Sequence, residues 1–560
     1  MLLNRKSVEL LAPAGTWDAL VAGVESGADA VYLGGKHFNM RMHEGEFNFD
    51  DALLKKAIDY AHEHGVRLYI TLNNLISNEE IPALREYLAY LNEIRPDALL
   101  VQDFAVLELV HEMGITIPLH TSVMMNTHNE HAIEKLKEYG ITRIVVGREM
   151  TLSELSLFRE RTGIEVEYFM HGDMCISESG QCIHSGVLFG QSGNRGRCLK
   201  PCRWAYKLID EKTGEVLDKD GPGAYKLALK DMCMYRAIPQ LIQAGVFSFK
   251  IEGRMRPAGF IRRIVSTYRK AIDAYIADPN GYTTDEEGWK TLYDNRARDF
   301  TTTFAFGQPG KKDIGFTGER EPRFFSHAVK EAGFQDEVLR QEHDIEKENA
   351  AHRVLSVRCN TVESAKAAIR SGADTVYVGG EAFRPLRPWK LGDYEEILAY
   401  AKGKARVVVT TPRTTMRREC GELEQFFTAL REIRPDGLMV SNLGSLKLAQ
   451  SITDLPVQAD LSFNLFNQLA AKFLKENGLS MAATSYELSF EQLREIVETA
   501  ELPLETVVHG SYESMICDHD FPAMSLPEFN ELDNPEVLDR HYALLDTAGE
   551  KHAIRIDQYG

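Results

Sequence analysis

Short apolar runs alternate with stretches of helical periodicity along the first half of the chain. Runs at 8–12, 29–33, 67–71, 97–101, 117–121, 143–147, 165–170 and 246–251 read as strands. Between most of them lie segments such as 51–64 and 130–139, whose apolar residues fall on one helical face. Eight strand–helix units in series favour a closed parallel barrel over an open doubly wound sheet. The second half repeats the pattern at 353–357, 374–378, 405–410, 436–440, 456–460, 480–484 and 504–508, with no partner for the last strand of the first half.

The repetition extends to residues. TWDALVAGVESGADAVYLGG (16–35) matches TVESAKAAIRSGADTVYVGG (361–380), and EIRPDALLVQ (93–102) matches EIRPDGLMVS (432–441). His171-Gly172 pairs with His509-Gly510, and YKLID (206–210) with YALLD (542–546). Such an ordered series is the mark of a duplicated unit. The fold expected is α/β, tandem TIM-like (β/α) barrels, the first complete and the second incomplete, with a small β-containing connector. The first spans 1–280 with a Cys-rich insertion at 171–235, the connector 281–350, and the second, degenerate repeat 351–560. The connector is polar and irregular but holds FTTTFAF (300–306).

Functional groups of such barrels collect at the C-terminal ends of the strands. In the first half those ends carry Asp103, His120, Arg148, Glu149, His171, Lys250, Glu252 and Arg254. A ring of ionisable groups around one mouth implies a small-molecule or nucleotide site. The second copy has Asn442 for Asp103, Gln458 for His120, Asp460 for Ser122 and Tyr486 for Arg148, while Asn126 and Asn129 persist as Asn464 and Asn467. The first barrel therefore reads as catalytic and the second as a binding or scaffolding copy.

The 560-residue chain is 44% apolar and 26% charged, enough for sizeable cores, and carries a net charge of −19. That charge argues against a surface coated for nonspecific nucleic-acid binding, though not against a local basic groove. No apolar run reaches a membrane span and no export signal is legible, so a cytoplasmic protein is expected. Five of the eight cysteines fall between Cys175 and Cys233, spaced C-x6-C-x15-C-x3-C and then x30. In a reducing compartment such clustering means metal or cluster ligands rather than disulfides. The long first spacing favours a [4Fe–4S] cluster over zinc, with unliganded redox thiols as a further reading. Cys359, Cys420 and Cys517 stand apart. Arg195, Arg197, Lys200 and Arg203 lie beside Trp204, a combination that suits a phosphate-bearing or single-stranded RNA ligand, or else a solvated loop. No Walker loop, GxGxxG, HExxH or GxSxG motif is present.

ELLAPAG (9–15), SGADAVYLGG (26–35), VEYFMHGDMCISESGQC (166–182), RGRCLKPCRW (195–204) and KIEGRMR (250–256) resemble the collagenase-like U-thirty-two peptidase family over most of 1–310. The resemblance implies a divided set of activities. Some members are named proteases. Others are oxygen-independent hydroxylases acting on tRNA, ribosomal RNA or a ubiquinone precursor, with iron–sulfur clusters and, in some, prephenate as the hydroxyl supply. By motif match the ligands would be Cys175, Cys182, Cys198 and Cys233, with Cys202 as the spare or alternative fourth.

The expected function is accordingly a tRNA or 23S rRNA nucleoside hydroxylase with a [4Fe–4S] cluster over the first barrel. His120, Arg148 and Lys250 would bind an anionic donor such as prephenate. Asp103, His171 and Glu252 would move protons, and the basic loop would meet the RNA. The alternatives are a metal- or cysteine-dependent peptidase and a noncatalytic RNA-binding scaffold with structural zinc. Sequence does not fix the oligomeric state.

Overall fold

The protein is described by a computed structural model, which covers residues 4–320, 353–520, 524–526 and 539–559. Ten strands lie in the first half: β1 (Glu9–Pro13), β2 (Ala30–Leu33), β3 (Arg67–Leu72), β4 (Ala98–Val101), β5 (Leu119–Thr121), β6 (Ile141–Val145), β7 (Glu165–Gly172), β8 (Tyr206–Asp210), β9 (Asp231–Cys233) and β10 (Ser248–Ile251). Strands β1 to β7 pair in order and in parallel, and β10 closes the ring by pairing with both β7 and β1. The first barrel is therefore complete, as expected. In the connector, β11 (Phe300–Thr301) pairs with β9, and β9 pairs antiparallel with the end of β7. Residues 321–350 of the expected connector lie outside the described residues.

The second half contributes β12 (Ser356–Cys359), β13 (Thr375–Gly379), β14 (Arg406–Thr410), β15 (Gly437–Val440), β16 (Val457–Ala459), β17 (Leu479–Ala483) and β18 (Leu504–Glu505). They form one seven-stranded parallel sheet in sequence order that does not close. A terminal hairpin, β19 (Tyr542–Asp546) and β20 (Lys551–Ile554), leaves this sheet and pairs with β8 of the first half.

The repeated motifs are folding devices. In both IRPD copies the Arg adopts the left-handed conformation that ends a helix, with φ 56° at Arg95 and 54° at Arg434, and the Pro prevents the helix from continuing. The Asp then accepts a backbone N–H of the preceding strand, Leu68 for Asp97 and Val407 for Asp436, each at 2.7 Å. The SGAD copies work alike. Gly27 and Gly372 have φ of 93° and 95°, and Asp29 and Asp374 accept from Leu10 and Leu355 at 2.9 and 2.8 Å.

The two units pack across an approximate internal two-fold. Helix Phe104–Glu112 packs on Gln468–Glu476, while Glu130–Lys137 packs on Leu443–Ile452. Asn129 donates to the Thr415 carbonyl at 2.8 Å, and its counterpart Asn467 donates to the Ile76 carbonyl at 3.0 Å. The matched segments YKLID and YALLD are antiparallel partners, with Tyr206 opposite Asp546, Leu208 opposite Leu544 and Asp210 opposite Tyr542. Among the described residues no helix is long and apolar enough to cross a membrane.

Candidate active site over the first barrel

The barrel interior begins with an ionic layer. Buried Arg143 on β6 donates to Glu9 on β1 at 2.6 Å and lies 3.4 Å from Glu167 on β7. Tyr69 and Ser248 also donate to Glu9, at 2.6 and 2.7 Å. Burial opposes charge on Glu9, but Arg143 and Arg67 outweigh it and hold the carboxyl below its ordinary range. Lys250 lies 2.7 Å from Glu167, its ammonium 4.5 Å from the Tyr32 ring centre and 5.4 Å from that of Phe169. His120 meets Tyr69 edge-on at 4.9 Å. Burial, followed by Arg143, Lys250 and Arg67, pushes its pKa far below the ordinary value, so the ring is neutral. Two of the three expected anion-binding groups are therefore core groups, since Glu167 neutralises Lys250 and His120 carries no charge.

Arg148 is the exception. Its guanidinium stacks over Phe169 at 4.2 Å and stands 3.6 Å from Glu252, leaving a shielded Nε–H with no acceptor. Buried Arg254 donates to Thr71, Asn39 and Asn48 at 3.1, 3.0 and 2.9 Å, and its Nε–H is likewise open. Sequence reasoning missed Phe169, Asn39 and Asn48. The last two sit in the irregular segment after β2, where no periodicity announced them.

Two expected proton-transfer groups are committed elsewhere. Asp103 is fully buried at the seam between the units. It accepts from the backbone N–H groups of Ile76 and Ala105 at 2.8 and 2.9 Å, and from Asn467 at 2.9 and 3.1 Å. It caps a helix and ties the copies together, so its oxygens are occupied. His171 is packed against Tyr268 and Phe300, its Nδ1 3.1 Å from the Tyr268 hydroxyl. Burial, with Arg256 next, lowers its pKa to about 3, which removes it from acid–base work near neutrality. Glu252 keeps its place at the mouth beside Arg148. Glu149, expected at the mouth, is buried in close hydrogen-bond contact with His128, and also accepts from the Ser179 N–H and hydroxyl at 3.1 Å.

The cysteines divide differently from the motif match. Cys175, Cys182, Cys198 and Cys202 share one electrostatic neighbourhood: Cys175, Cys198 and Cys202 all act on Cys182, and Cys175 acts on Cys198 and Cys202 as well. Burial first, and the neighbouring thiols next, push Cys182 far above its ordinary value and Cys202 to about 12. The Lys200 N–H donates to the Cys198 sulfur at 3.3 Å. Cys233 is elsewhere. It lies on β9 opposite His171, with its sulfur 3.5 Å from the Tyr268 hydroxyl, and none of the other thiols acts on it. The spare, Cys202, is thus the fourth member of the group. Among the described residues no three His, Cys, Asp or Glu side chains are preset in metal-holding geometry. The donor set nevertheless fits a cationic cluster. Burial and neighbouring thiols raise Cys182, Cys198 and Cys202, which a bound cation would ionise, and a backbone N–H already faces the Cys198 sulfur.

The basic loop is largely internal. Trp204 is 1% exposed and packs edge-on against Phe189 at 5.6 Å. Arg203 is buried, donating to the carbonyls of Leu229 and Met174 at 2.5 and 2.8 Å. Neither reaches a ligand outside. Arg195 pairs with both oxygens of Glu80 at 2.9 Å. Arg197 is exposed beside His43, and Lys200 is partly exposed.

A closed parallel barrel with a four-thiol insertion over its mouth, doubled by an open copy, defines a duplicated (β/α)-barrel protein with a thiol-lined site. The chain belongs to Peptidase family U32, whose model matches residues 15–315 and again 360–517. It is 33% identical over 315 residues to the tRNA hydroxylation protein P1 of Bacillus subtilis, spanning 56% of this chain and 74% of that protein. It is 34% identical over 280 residues to the 23S rRNA 5-hydroxycytidine C2501 synthase of Escherichia coli, spanning 50% of this chain and 41% of that one. A collagenase of Porphyromonas gingivalis is 30% identical over 296 residues, 51% of this chain and 69% of that protein.

Proposed function

We propose that the chain is an RNA nucleoside hydroxylase, acting on tRNA or 23S rRNA, with a [4Fe–4S] cluster held by Cys175, Cys182, Cys198 and Cys202. The observation that carries this reading is the gathering of those thiols on the insertion that follows β7. The relatives named for tRNA and rRNA hydroxylation point the same way. When bound, the cluster supplies one-electron redox chemistry. The chain's own part is to bind and orient. Arg148, with its open Nε–H over Phe169, suits one carboxylate of a small dianion such as prephenate, and Arg254 offers a second open donor. Glu252, beside Arg148, is the carboxylate placed to take or give a proton at the mouth. Arg197, exposed, and Lys200, partly exposed, are the basic residues of the loop that would meet phosphate.

For a peptidase, His171 is poorly suited as a base or metal ligand, because it is sealed against Tyr268 and Phe300. The test is nucleoside analysis of total RNA from a strain lacking the chain. A hydroxylated nucleoside should vanish, return with the wild-type gene and stay absent with Cys182→Ser. An unchanged profile in the deletion strain, beside peptide cleavage by the purified chain, overturns the proposal.

A further inference from the structure

A small, partly open cleft of about 40 Å³ lies on the seam between the units. The first unit lines it with Gln102, Phe104, Met124 and Asn126, and the second with Ser462 and Phe463 among others. Its polar groups are unsatisfied. Both amide atoms of Gln102, both of Asn126 and the Ser462 hydroxyl are shielded from solvent without a hydrogen-bond partner, and Gln102 is only 5% exposed. Orphaned buried carboxamides are costly and rare unless a ligand or water completes them.

The repeat supplies an internal control. Asn126 and Asn464 occupy equivalent places with the same left-handed backbone, φ 54° and 52°. Asn464 spends its amide on the Gly180 carbonyl at 3.3 Å, and Ser441, the counterpart of Gln102, faces Asp460 at 3.5 Å. The second unit commits both positions, Asn464 across the seam and Ser441 within its own fold, while the first leaves both carboxamides open. The same wall joins the thiol insertion, since Gln181, between Cys175 and Cys182, donates to the Ser462 carbonyl at 3.4 Å.

The lining selects the ligand chemistry. The only ionisable group there, Asp103, is already saturated by four donor contacts. No free cation lines the cleft, so a phosphate or carboxylate has no counter-charge. Two carboxamides present donors and acceptors together, as the edge of a nucleobase requires. Phe104, stacked on Phe473 at 4.2 Å, and the tilted Phe463 ring beside it give the cleft an aromatic wall against which a flat ring can pack. We propose that this cleft receives a nucleobase turned out of its stack, read on its hydrogen-bonding edge by Gln102 and Asn126. It rests on the RNA reading above and names the pocket that the target base enters.

The test uses the full chain and four probes, uridine, cytidine, adenosine and guanosine, observed by saturation-transfer NMR. At least one should show strong transfer to its base protons. Gln102→Leu should weaken that signal about fivefold, the loss of one hydrogen-bonded edge, while the melting temperature holds or rises because an unsatisfied buried amide is gone. Asn126→Gly, which keeps the left-handed backbone, should weaken it similarly. The proposal is overturned if no nucleoside gives base-proton transfer or if both variants match the wild type. It is equally overturned if Gln102→Leu loses several degrees of stability, which would mark Gln102 as a packing residue. Nucleoside binding that behaves as expected beside an unchanged RNA profile in the deletion strain would sink the RNA reading and leave the base pocket standing.

Discussion

The two barrels solve one packing problem with different chemistry. The first fills its interior with Glu9, Tyr69, Arg143 and Lys250. At matching positions the second places Val408 for Tyr69 and Met481 for Arg143, and these pack with Tyr377 and Met439 in a small apolar cluster. The strands pair in the same order in both, so the backbone itself does not require charge. Burying an ion network rarely stabilises more than well-packed apolar residues of similar volume. The second unit shows the cheaper solution within one chain. The first keeps the ionic one beneath Arg148, Glu252 and the thiol insertion, where its cations add to the burial that keeps His120 neutral.

The thiols give the largest contrast to break. Cys202→Ser should abolish iron binding and visible absorption after anaerobic reconstitution, because the proposed cluster would lose one of its four thiolates. Cys233→Ser should retain iron, since its sulfur faces Tyr268 on the other side of β9, and Cys359→Ser in the second unit should retain it as well. Iron content and electron paramagnetic resonance measure this. Loss of iron in Cys233→Ser beside retention in Cys202→Ser would restore the motif-based ligand set and dissolve the grouping seen in the fold.

The ionic layer comes next. Arg143→Met installs the second barrel's own residue and leaves Glu9 and Glu167 facing each other without their shared cation. It should cost about 3–5 kcal/mol, the usual penalty for breaking a buried pair. Met481→Leu at the matching site should cost less than about 1.5 kcal/mol. Chemical denaturation followed by circular dichroism reads both. A cost below about 1 kcal/mol for Arg143→Met would mean that water or rearrangement screens the carboxylates, and the contrast between the interiors would lose its force.

Much of this architecture was legible in the sequence. The SGAD and IRPD copies announced the duplication because each is a local device, a left-handed residue followed by an Asp that grips a strand, and such devices depend on near neighbours alone. What stayed hidden depends on distant partners. Asp103 reads as a mouth acid until Asn467, hundreds of residues away, is found occupying it. Trp204 and Arg203 read as an RNA surface because basic and aromatic neighbours look alike whether they face water or the core. Cys233 fits a cluster by spacing, yet β9 pairs with β7 and turns its sulfur toward Tyr268.

The smallest effect tests whether His120 is kept neutral by the layer beneath it. Its pKa lies well below the ordinary histidine value when folded, with burial as the main cause and Arg143, Lys250 and Arg67 adding to it. The folded chain therefore binds fewer protons there than the unfolded chain. The stability this contributes is complete above about pH 6.5 and is lost as the pH falls from there toward the folded value. His171, lowered to about 3, and His519, lowered to about 4, contribute losses of the same sign, so the wild type alone cannot isolate one ring. His120→Gln can, because Gln458 holds the matching place in the second barrel without titrating. Unfolding free energies at pH 7, 6 and 5 should diverge between wild type and variant. The wild type should lose up to about 1.4 kcal/mol more per pH unit below 6.5. Parallel curves would mean that His120 takes up its proton alike in the folded and unfolded chain, and that the ionic layer does not set its charge.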